Sequence, residues 1–315
     1  MTIKVNALNF VRAETNRMLA DIAHNAGGTG SWAHNRVPTP LDEQTVIRMN
    51  RDTLYSFVVA DLSQGADLTV PEAAGRYLSV MVINQDHYIN QVYHDAGTYH
   101  LTADAFGSAY VGIGVRILVD PTNPDDVTSV NALQDQLGLT SGANTPFTLP
   151  DYDTASFDAT RNALLDLARG LDDFSGAFGA KDQVNPIQHL IASAAGWGGL
   201  PVTEAFYSSG EGAGPLGEYQ VTVGDVPVDA FWSITVYDEK GFMDPNAKHL
   251  TSINSVTATR NDDGTVTVNF GVSDEDKPNY LSIMPGWNYL VRMYRPRPEI
   301  LDGNWMFPAI EPVAT

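Results

Sequence analysis

The chain has 315 residues, of which 43% are hydrophobic and 10% aromatic, and its formal net charge is −20. This length and composition are typical of one large or two modest globular domains and disfavour an intrinsically disordered chain. The absence of cysteine excludes disulfides, thiolate metal sites and a cysteine nucleophile, and the negative charge disfavours binding to nucleic acid or anionic membranes.

The charged residues also carry information about habitat. Aspartate is abundant and lysine is scarce, which predicts adaptation to salty surroundings and a marine or halophilic source. No apolar run approaches the roughly 20 residues that a spanning helix needs, so we expect no membrane insertion. No signal peptide is visible at residues 1–16, which favours the cytoplasm by default and leaves export open for a chain whose signal has been removed.

The predicted elements begin with an amphipathic helix. Residues 6–24 carry apolar side chains at helical spacing, and Asn6 is a suitable N-cap. Residues 46–119 then contain short strand-like runs separated by Gly, Asp and Pro about every 8 to 12 residues, as in antiparallel sandwiches and barrels. Gly112 and Gly114 fall inside one of these runs and lack the third glycine and the following helix of a dinucleotide site.

Helical patterns dominate the middle of the chain and strands return near its end. The predicted helices cover residues 127–139, 156–174 and 185–197, and strand-like runs recur from residue 217 to residue 296. This order predicts an α+β fold with two β-rich modules, each antiparallel sandwich or jelly-roll-like, bridged by helices. The predicted parts are 1–140 (N-terminal helix and first module), 141–200 (linker and bridging helices) and 201–315 (second module).

The densest polar cluster stands where the first strand-like run begins. It comprises Arg48, Asn50, Arg51, Asp52 and Tyr55. Burying unpaired charge is costly, so these groups must be paired or must face a cavity. One interpretation is an anion- or hydroxyl-binding site that uses the guanidinium forks, and the other is an ion-paired plug that braces the module.

A second cluster interleaves histidine with tyrosine and aspartate. Histidine is the natural general acid or base near neutral pH, so His87 is the candidate for proton transfer, with Asp86 as its orienting carboxylate. Tyr88, Tyr93 and His94 are the candidate substrate contacts beside it. The alternative is that these side chains are solvated or packed without a chemical role.

A metal site is a weaker alternative in the same stretch. His94 and His100 have the same strand parity, but an extended strand would separate them by roughly 20 Å. A turn at Gly97 would let them approach across a hairpin, yet no metal-binding motif such as HxH or HExxH is present. We therefore expect no cofactor.

The third group lies in the C-terminal module. Trp232, Tyr237, Trp287 and Arg292 are candidate substrate-binding residues, because tryptophan and tyrosine stack on sugar rings and aromatic ligands. They are equally ordinary core residues of a sandwich, since FWSITV and WNYLVRMY alternate as half-buried strands do.

Six motifs stand out along the chain. The N-terminal set is NFVRAET (9–15), MNRDTLYS (49–56) and RYLSVMVINQDHY (76–88), and the C-terminal set is FWSITVYDEKGF (231–242), NDDGTVTVNFG (261–271) and PGWNYLVRMYRPRPEILDGNWMFP (285–308). The first set resembles a bacterial family of unknown function, domain-of-unknown-function family 1254, and the second resembles its usual partner, family 1214. The resemblance implies two β-rich halves with helices between them and self-association of the chain. It brings no activity or catalytic residues.

Three functional hypotheses follow. The first is a metal-independent hydrolase or lyase for a small polar or carbohydrate-like substrate, with His87 as acid or base and Arg48 or Arg51 as electrostatic clamp. The second is a ligand-binding or homo-oligomeric assembly protein without catalysis. The third is a metalloenzyme that uses His94 and His100. In the first two the partner is a small molecule or another copy of the chain.

Overall fold

The structure is a computed structural model that describes residues 2–171, 173–212, 214–273 and 277–313. Its chain divides into two compact units. The first unit comprises Met1–Arg36, Leu54–Leu118 and Asp125–Val202, and the second comprises Val37–Thr53, Val119–Pro124 and Thr203–Thr315. The segment 37–53, which belongs to the second unit, is far in sequence from most of that unit.

Within the described residues six α-helices are present, and none is long and apolar enough to cross a membrane. They are α1 Phe10–Ala26, α2 Ala103–Phe106, α3 Pro124–Gln134, α4 Thr154–Ala168, α5 Pro186–Ala195 and α6 Pro298–Leu301. The strands are β1 Ala33–His34, β2 Thr53–Asp61, β3 Ala66–Val70, β4 Leu78–Asn84, β5 Ile89–Tyr93, β6 Gly97–Leu101, β7 Tyr110–Leu118, β8 Gly138–Ser141, β9 Ala205–Glu211, β10 Tyr219–Val223, β11 Trp232–Tyr237, β12 Ser252–Asn254, β13 Val266–Gly271, β14 Tyr280–Ser282, β15 Asn288–Tyr294 and β16 Glu311–Pro312.

The predicted α+β class, with an N-terminal helix and two β-rich modules, is confirmed. The predicted N-cap of the first helix is wrong, because α1 begins at Phe10 and the residue before it is Asn9. The Asn6 side chain instead accepts a hydrogen bond from the Leu8 N–H at 2.9 Å and forms a turn before the helix.

In the first unit the helix α1 packs on a five-stranded sheet of order β1-β2-β7-β4-β5. The glycines of β7 make this packing close. A Cβ atom on Gly112 would lie 2.8 Å from Leu19 of α1, and one on Gly114 would lie 3.4 Å from the Phe57 ring. Helices α4 and α5 join α1 around a second apolar cluster, and β6-β3-β8 form a separate three-stranded sheet. The glycine pair therefore serves packing.

In the second unit two four-stranded sheets, β14-β13-β10-β16 and β12-β11-β15-β9, share one hydrophobic core. Alternate residues of β11, namely Trp232, Ile234 and Val236, enter that core. Because successive side chains of a strand point to opposite faces, the residues between them lie on the other face of the sheet. That face is buried and polar, and it carries the candidate site.

Candidate functional site

The buried polar face of the second sheet is built from two neighbouring strands. Ser233, Thr235 and Tyr237 of β11 are each 0% exposed. Arg292 of β15 pairs in register with Ser233, so the two side chains share this face, and Arg292 is only 2% exposed. Buried polar groups need hydrogen-bond partners, and residues 48–53 provide many of them.

Arg292 ties this face to the backbone of the 48–53 segment. Its Nη2 donates to the Arg48 carbonyl at 2.8 Å and to the Tyr237 hydroxyl at 2.6 Å. Its Nη1 donates to Thr235 Oγ1 at 2.9 Å, and the Tyr237 hydroxyl donates to the Met49 carbonyl at 2.9 Å. These contacts engage both Nη atoms of the guanidinium, so Arg292 positions residues 48 and 49.

Asp52 is the buried carboxylate of the same network, with 2% of its surface exposed. Its Oδ2 accepts from Ser233 Oγ at 2.6 Å, and its Oδ1 accepts a longer bond from Ser252 Oγ at 3.5 Å. Ser252 and Thr235 share a hydrogen bond of 2.8 Å. Hydroxyl groups therefore connect Asp52 to Arg292 without direct contact between the two charges.

Burial and pairing act in opposite directions on these two charges. Burial raises the pKa of Asp52, and Arg292 together with hydrogen bonds from Ser233 limits the rise. Burial also opposes the charge of Arg292, but the phenols of Tyr237 and Tyr294 and the Asp52 carboxylate hold the pKa of Arg292 above its ordinary value. The network keeps a cation at the centre of the polar face.

Arg48 also lies against this network. Its backbone is left-handed, with φ 56°, and its N–H donates to the Gly241 carbonyl at 2.8 Å. The guanidinium carbon stands 5.1 Å from the centroid of the Tyr237 ring. Among the residues that the structure describes, its buried Nη1 has no hydrogen-bond partner. Burial lowers the pKa of Arg48, and the like charge of Arg292 acts in the same direction against the effect of Tyr237.

Arg51 is also partly buried and also has a buried donor in its guanidinium. Its Nε is buried and has no hydrogen-bond partner within the described part of the chain. Burial lowers the pKa of Arg51. The second unit thus holds two partly buried guanidiniums that no described carboxylate neutralises.

Open space lies beside the Arg48 backbone, but neither the Arg48 nor the Arg51 side chain is among the residues that line it. An open cleft of about 470 Å³ lies in the second unit. Asp238 and Phe242 line it, and Gly241, whose carbonyl holds the Arg48 backbone, stands between them in the chain. The remaining lining residues are Leu41, Asp42, Gln44, Met243, Asp244, Pro245 and Met284. Its volume lies in the range of roughly 300–1,000 Å³ typical of small-molecule sites.

The other members of the first predicted cluster have defined partners. The Asn50 amide donates to Thr53 Oγ1 at 3.1 Å and to the Tyr294 hydroxyl at 3.2 Å, and its carbonyl accepts from the Asp52 N–H. Asn50 therefore shapes the turn that presents its neighbours. Tyr55 belongs to the first unit, where its ring stacks on Phe57 at 5.8 Å.

His87, the predicted acid or base, is sealed inside the first unit with 0% of its surface exposed. Its Nε2 accepts the Gly198 N–H at 2.9 Å, so the proton of the neutral ring resides on Nδ1, which donates to Ser193 Oγ at 2.9 Å. Trp197 and His189 stack near the ring, each at 5.4 Å. Burial and the neighbouring His189 lower the pKa of His87 to about 3. This geometry is that of a neutral structural histidine.

The neighbours of His87 are also engaged. The Asp86 carboxylate binds the Arg12 guanidinium through two hydrogen bonds of 2.6 Å and does not orient His87. The ring of Tyr88 stacks on His189 at 4.7 Å. Asp86 and Tyr88 therefore have partners other than the His87 ring, and Asp86 forms no acid–base pair with it.

The remaining candidates of this cluster lie near β5 and β6. The ring of Tyr93 stacks on Tyr99 at 3.9 Å. His94 Nδ1 contacts the Leu78 carbonyl at 3.0 Å, whereas His100 Nδ1 contacts Asp67 at 2.7 Å. Among the described residues, no group of three or more His, Asp or Glu side chains is placed to hold a metal ion.

Trp232 and Trp287 are 4% exposed and pack in the core of the second unit. In those positions they have almost no surface for a ligand. The sequence reasoning missed the hydroxyls that join Asp52 to Arg292. The signal for them was the alternation in Trp-Ser-Ile-Thr-Val-Tyr, which gives β11 a second, polar face.

The comparisons with known proteins agree with this fold and name no activity. Residues 29–141 match the model of DUF1254 and residues 203–298 that of DUF1214, and each is described as a protein of unknown function. No curated protein matches the chain.

Two crystal structures are similar in fold. The VPA0106 protein from Vibrio parahaemolyticus has a TM-score of 0.75 and 16% identity over 98% of both chains. An uncharacterised protein from Burkholderia cenocepacia has a TM-score of 0.52 and 14% identity over 97% of this chain and 85% of its own. The chain belongs to the proteins of unknown function in which a DUF1254 domain precedes a DUF1214 domain.

Proposed function

We propose that the second unit binds a small anionic molecule through Arg48 and Arg51. The observation that carries this proposal is the pair of partly buried guanidiniums whose buried donors have no partner among the described residues. A buried donor left without an acceptor costs about 1–3 kcal/mol, and more when it is charged. A carboxylate, phosphate or sulfate group would supply the missing acceptors, and guanidinium forks match the geometry of such groups.

Composition strengthens this argument. The chain has 38 acidic residues against 18 basic ones, so carboxylates are abundant. They pair with arginines elsewhere, as Asp86 does with Arg12 and Asp126 with Arg76. In such a chain two guanidiniums that pair with no described carboxylate are better explained by a ligand than by a shortage of partners.

The surroundings of His87 favour ligand binding over a hydrolase or lyase activity. A general acid or base needs access to the substrate and a pKa near the working pH. His87 is fully buried, both of its ring nitrogens are hydrogen bonded, and its pKa is about 3. No comparable observation favours the metalloenzyme hypothesis. Self-association, which the family resemblance implies, is compatible with ligand binding.

The test is calorimetric titration of the whole protein with acetate, succinate, phosphate and sulfate at constant ionic strength. Arg48→Gln and Arg51→Gln each remove one charge while keeping a polar side chain. Each lost charged hydrogen bond is worth about 1.5–3 kcal/mol, so we expect an affinity loss of at least about tenfold per variant.

The matched control is Arg295→Gln, which removes an equal charge from an exposed position of the same unit. It should bind like the wild type. If no anion binds, or if all three variants bind equally well, the proposal is wrong.

A further inference from the structure

The open cleft of the second unit is lined by acidic and apolar side chains. Its charged residues are Asp42, Asp238 and Asp244, and none of the described residues that line it is basic. The other lining side chains are mostly apolar and include Phe242 and Met284. Clefts lined by charge of one sign concentrate the electric field and attract ions of the opposite sign. The lining therefore favours a ligand that is positively charged and partly apolar.

One side-chain amide holds the two walls of this cleft together. The walls are residues 41–44 and 238–245, and both belong to the second unit. Gln44 Nε2 donates to the Met243 carbonyl at 2.8 Å, and Gln44 Oε1 accepts the Met243 N–H at 2.9 Å. The same amide donates to the Leu41 carbonyl at 2.6 Å. Because these bonds join segments 199 positions apart, the cleft is preformed, as small-molecule sites usually are.

The three carboxylates present oxygen atoms that the protein does not engage. Asp238 Oδ1 accepts two N–H groups of its own turn, at 2.8 and 2.9 Å, and Asp244 Oδ1 accepts the Asn246 N–H at 2.8 Å. Within the part of the chain that the structure describes, the Oδ2 atoms of both residues have no hydrogen bond, and the exposed Asp42 side chain has no partner. The turns fix two of the carboxylates in place and leave an acceptor on each.

The nearest guanidinium does not cancel this negative charge. Arg48 approaches the cleft at Gly241, where a Cβ atom would lie 3.7 Å from Arg48 Nε. Its guanidinium lies over the Tyr237 ring and forms no ion pair with the lining aspartates among the described residues. One guanidinium beside three carboxylates leaves an excess of negative charge, which a cation in the cleft would reduce.

The cation that suits this cleft is larger than a metal ion. Among the residues that the structure describes, no three His, Asp or Glu side chains are placed to hold one metal ion together. The carboxylates instead surround a volume of about 470 Å³, which is the size of a small-molecule site. The apolar part of the lining calls for an apolar body on the ligand, and an aromatic ring such as that of Phe242 also attracts cations.

We infer that this cleft binds an organic ammonium ion with an apolar body, of the arylalkylamine class. An ammonium group donates three hydrogen bonds, and its bonds to carboxylates are charge-assisted. The aspartates bind this group, and Phe242, Met243 and Met284 contact the apolar body. The site is distinct from the proposed anion site, since neither Arg48 nor Arg51 lines the cleft.

Three probes of similar shape and different charge test the inference. Benzylamine is cationic at pH 7.5, benzyl alcohol is its neutral counterpart and benzoate its anionic one. Each is titrated calorimetrically into the whole protein at low and at high salt. At low salt we expect benzylamine to bind about tenfold more tightly than benzyl alcohol, since two or more partly exposed carboxylates contribute, and benzoate not to bind in the cleft. Salt screens such charges, so the preference for benzylamine should shrink at high salt.

Variants of the lining locate the effect. Asp42→Asn and Asp244→Asn should each weaken benzylamine binding about threefold to fivefold and leave benzyl alcohol unaffected. Met284→Ala should weaken both probes alike, because it removes apolar contact. The matched control is Asp262→Asn, an exposed position of the same unit outside the cleft, which should bind like the wild type. Thermal unfolding of each variant ensures that folded proteins are compared.

The outcomes also separate this cleft from the anion site. Equal affinity for benzylamine and benzyl alcohol would make the cleft a merely apolar site and overturn the inference. Binding of calcium chloride without binding of benzylamine, or no binding of any probe, would overturn it as well. So would equal losses in Asp42→Asn and Asp262→Asn, which would show a general effect of net charge. Titration with succinate or sulfate reports on the anion site, so either site can fail alone.

Discussion

Acidification should destabilise the first unit through His87. This ring accepts the Gly198 N–H on Nε2, so protonation of Nε2 breaks that bond and places a charge in a sealed, aromatic environment. The pKa of His87 is about 3 in the folded chain, against 6.5 for an ordinary histidine. Because the folded pKa is the lower one, the unfolded chain binds the extra proton first. The contribution of the neutral His87 ring to the free energy of unfolding is therefore complete above about pH 6.5. It is lost as the pH falls towards 3.

The size of the effect follows from the two pKa values. Each unit of difference between the unfolded and folded pKa of His87 is worth about 1.4 kcal/mol of unfolding free energy. At a given pH, the loss depends on how far that pH lies below the unfolded pKa of 6.5. Between pH 7.5 and pH 5.0 the loss is about 2 kcal/mol, and it reaches about 4 kcal/mol at pH 3. Set against a typical total stability of about 5–15 kcal/mol, a loss of 2 kcal/mol is readily measurable.

The assay is urea unfolding of the wild type and of His87→Asn at pH 7.5 and pH 5.0. Asparagine tolerates the left-handed backbone that His87 adopts, with φ 62°, and does not titrate. We expect the wild type to lose about 2 kcal/mol more than the variant over this interval. His24→Asn, at an exposed position, should behave like the wild type. Equal pH dependence in the wild type and His87→Asn would refute the reasoning, whereas the contribution of Asp52 cancels in the comparison.

Three further substitutions test the packing and the buried network by the same unfolding measurement. Gly112→Ala should lower the free energy of unfolding by about 1–3 kcal/mol, because its Cβ overlaps a side chain of α1. Gly224→Ala, whose Cβ has open space, should leave it unchanged, and equal losses in the two variants would contradict the packing argument. Arg292→Met should cost about 3–5 kcal/mol, since it leaves Asp52 buried without its cation, and an unchanged stability would show that the network is dispensable. Trp287→Ala should cost about 3–5 kcal/mol as a core truncation; unchanged stability with altered oligomer mass in light scattering would instead place Trp287 at a subunit interface.

The elements that the sequence predicts well are those that depend on local pattern. The alternation in FWSITVY is sufficient to predict β11, and Pro186 after Asn185 marks the start of α5, where the Asn185 side chain accepts the Ile187 and Gln188 N–H groups. The predicted helix over residues 127–139 overlaps α3 but extends too far, because its last residues enter β8. Local periodicity does not contain the pairing that turns residues 138–141 into a strand.

The candidate site depends on partners that are distant in sequence. The 48–55 cluster was recognised as polar and in need of pairing, but the bond from Arg292 to the Arg48 carbonyl spans 244 positions. His87 was recognised as chemically capable, but its burial depends on Ser193 and Gly198, more than 100 positions away. Residue type therefore indicated what the side chains can do, and only the tertiary contacts decide which of them are free to do it.

These distant contacts also join parts of the two matched segments within one unit. The DUF1254 match covers residues 29–141 and includes the segment 37–53, yet that segment belongs to the second unit. There it supplies Asp52 and the carbonyls of Arg48 and Met49 to Ser233, Tyr237 and Arg292, which lie within the DUF1214 match.

Without residues 37–53, the polar face of β11 and β15 would lack these partners and would bury a cation without its carboxylate. The boundary between the families in sequence is therefore not the boundary between the units in structure. The DUF1214 sheet needs a piece of DUF1254 to satisfy its buried groups, and the same piece carries the two guanidiniums that we assign to the ligand.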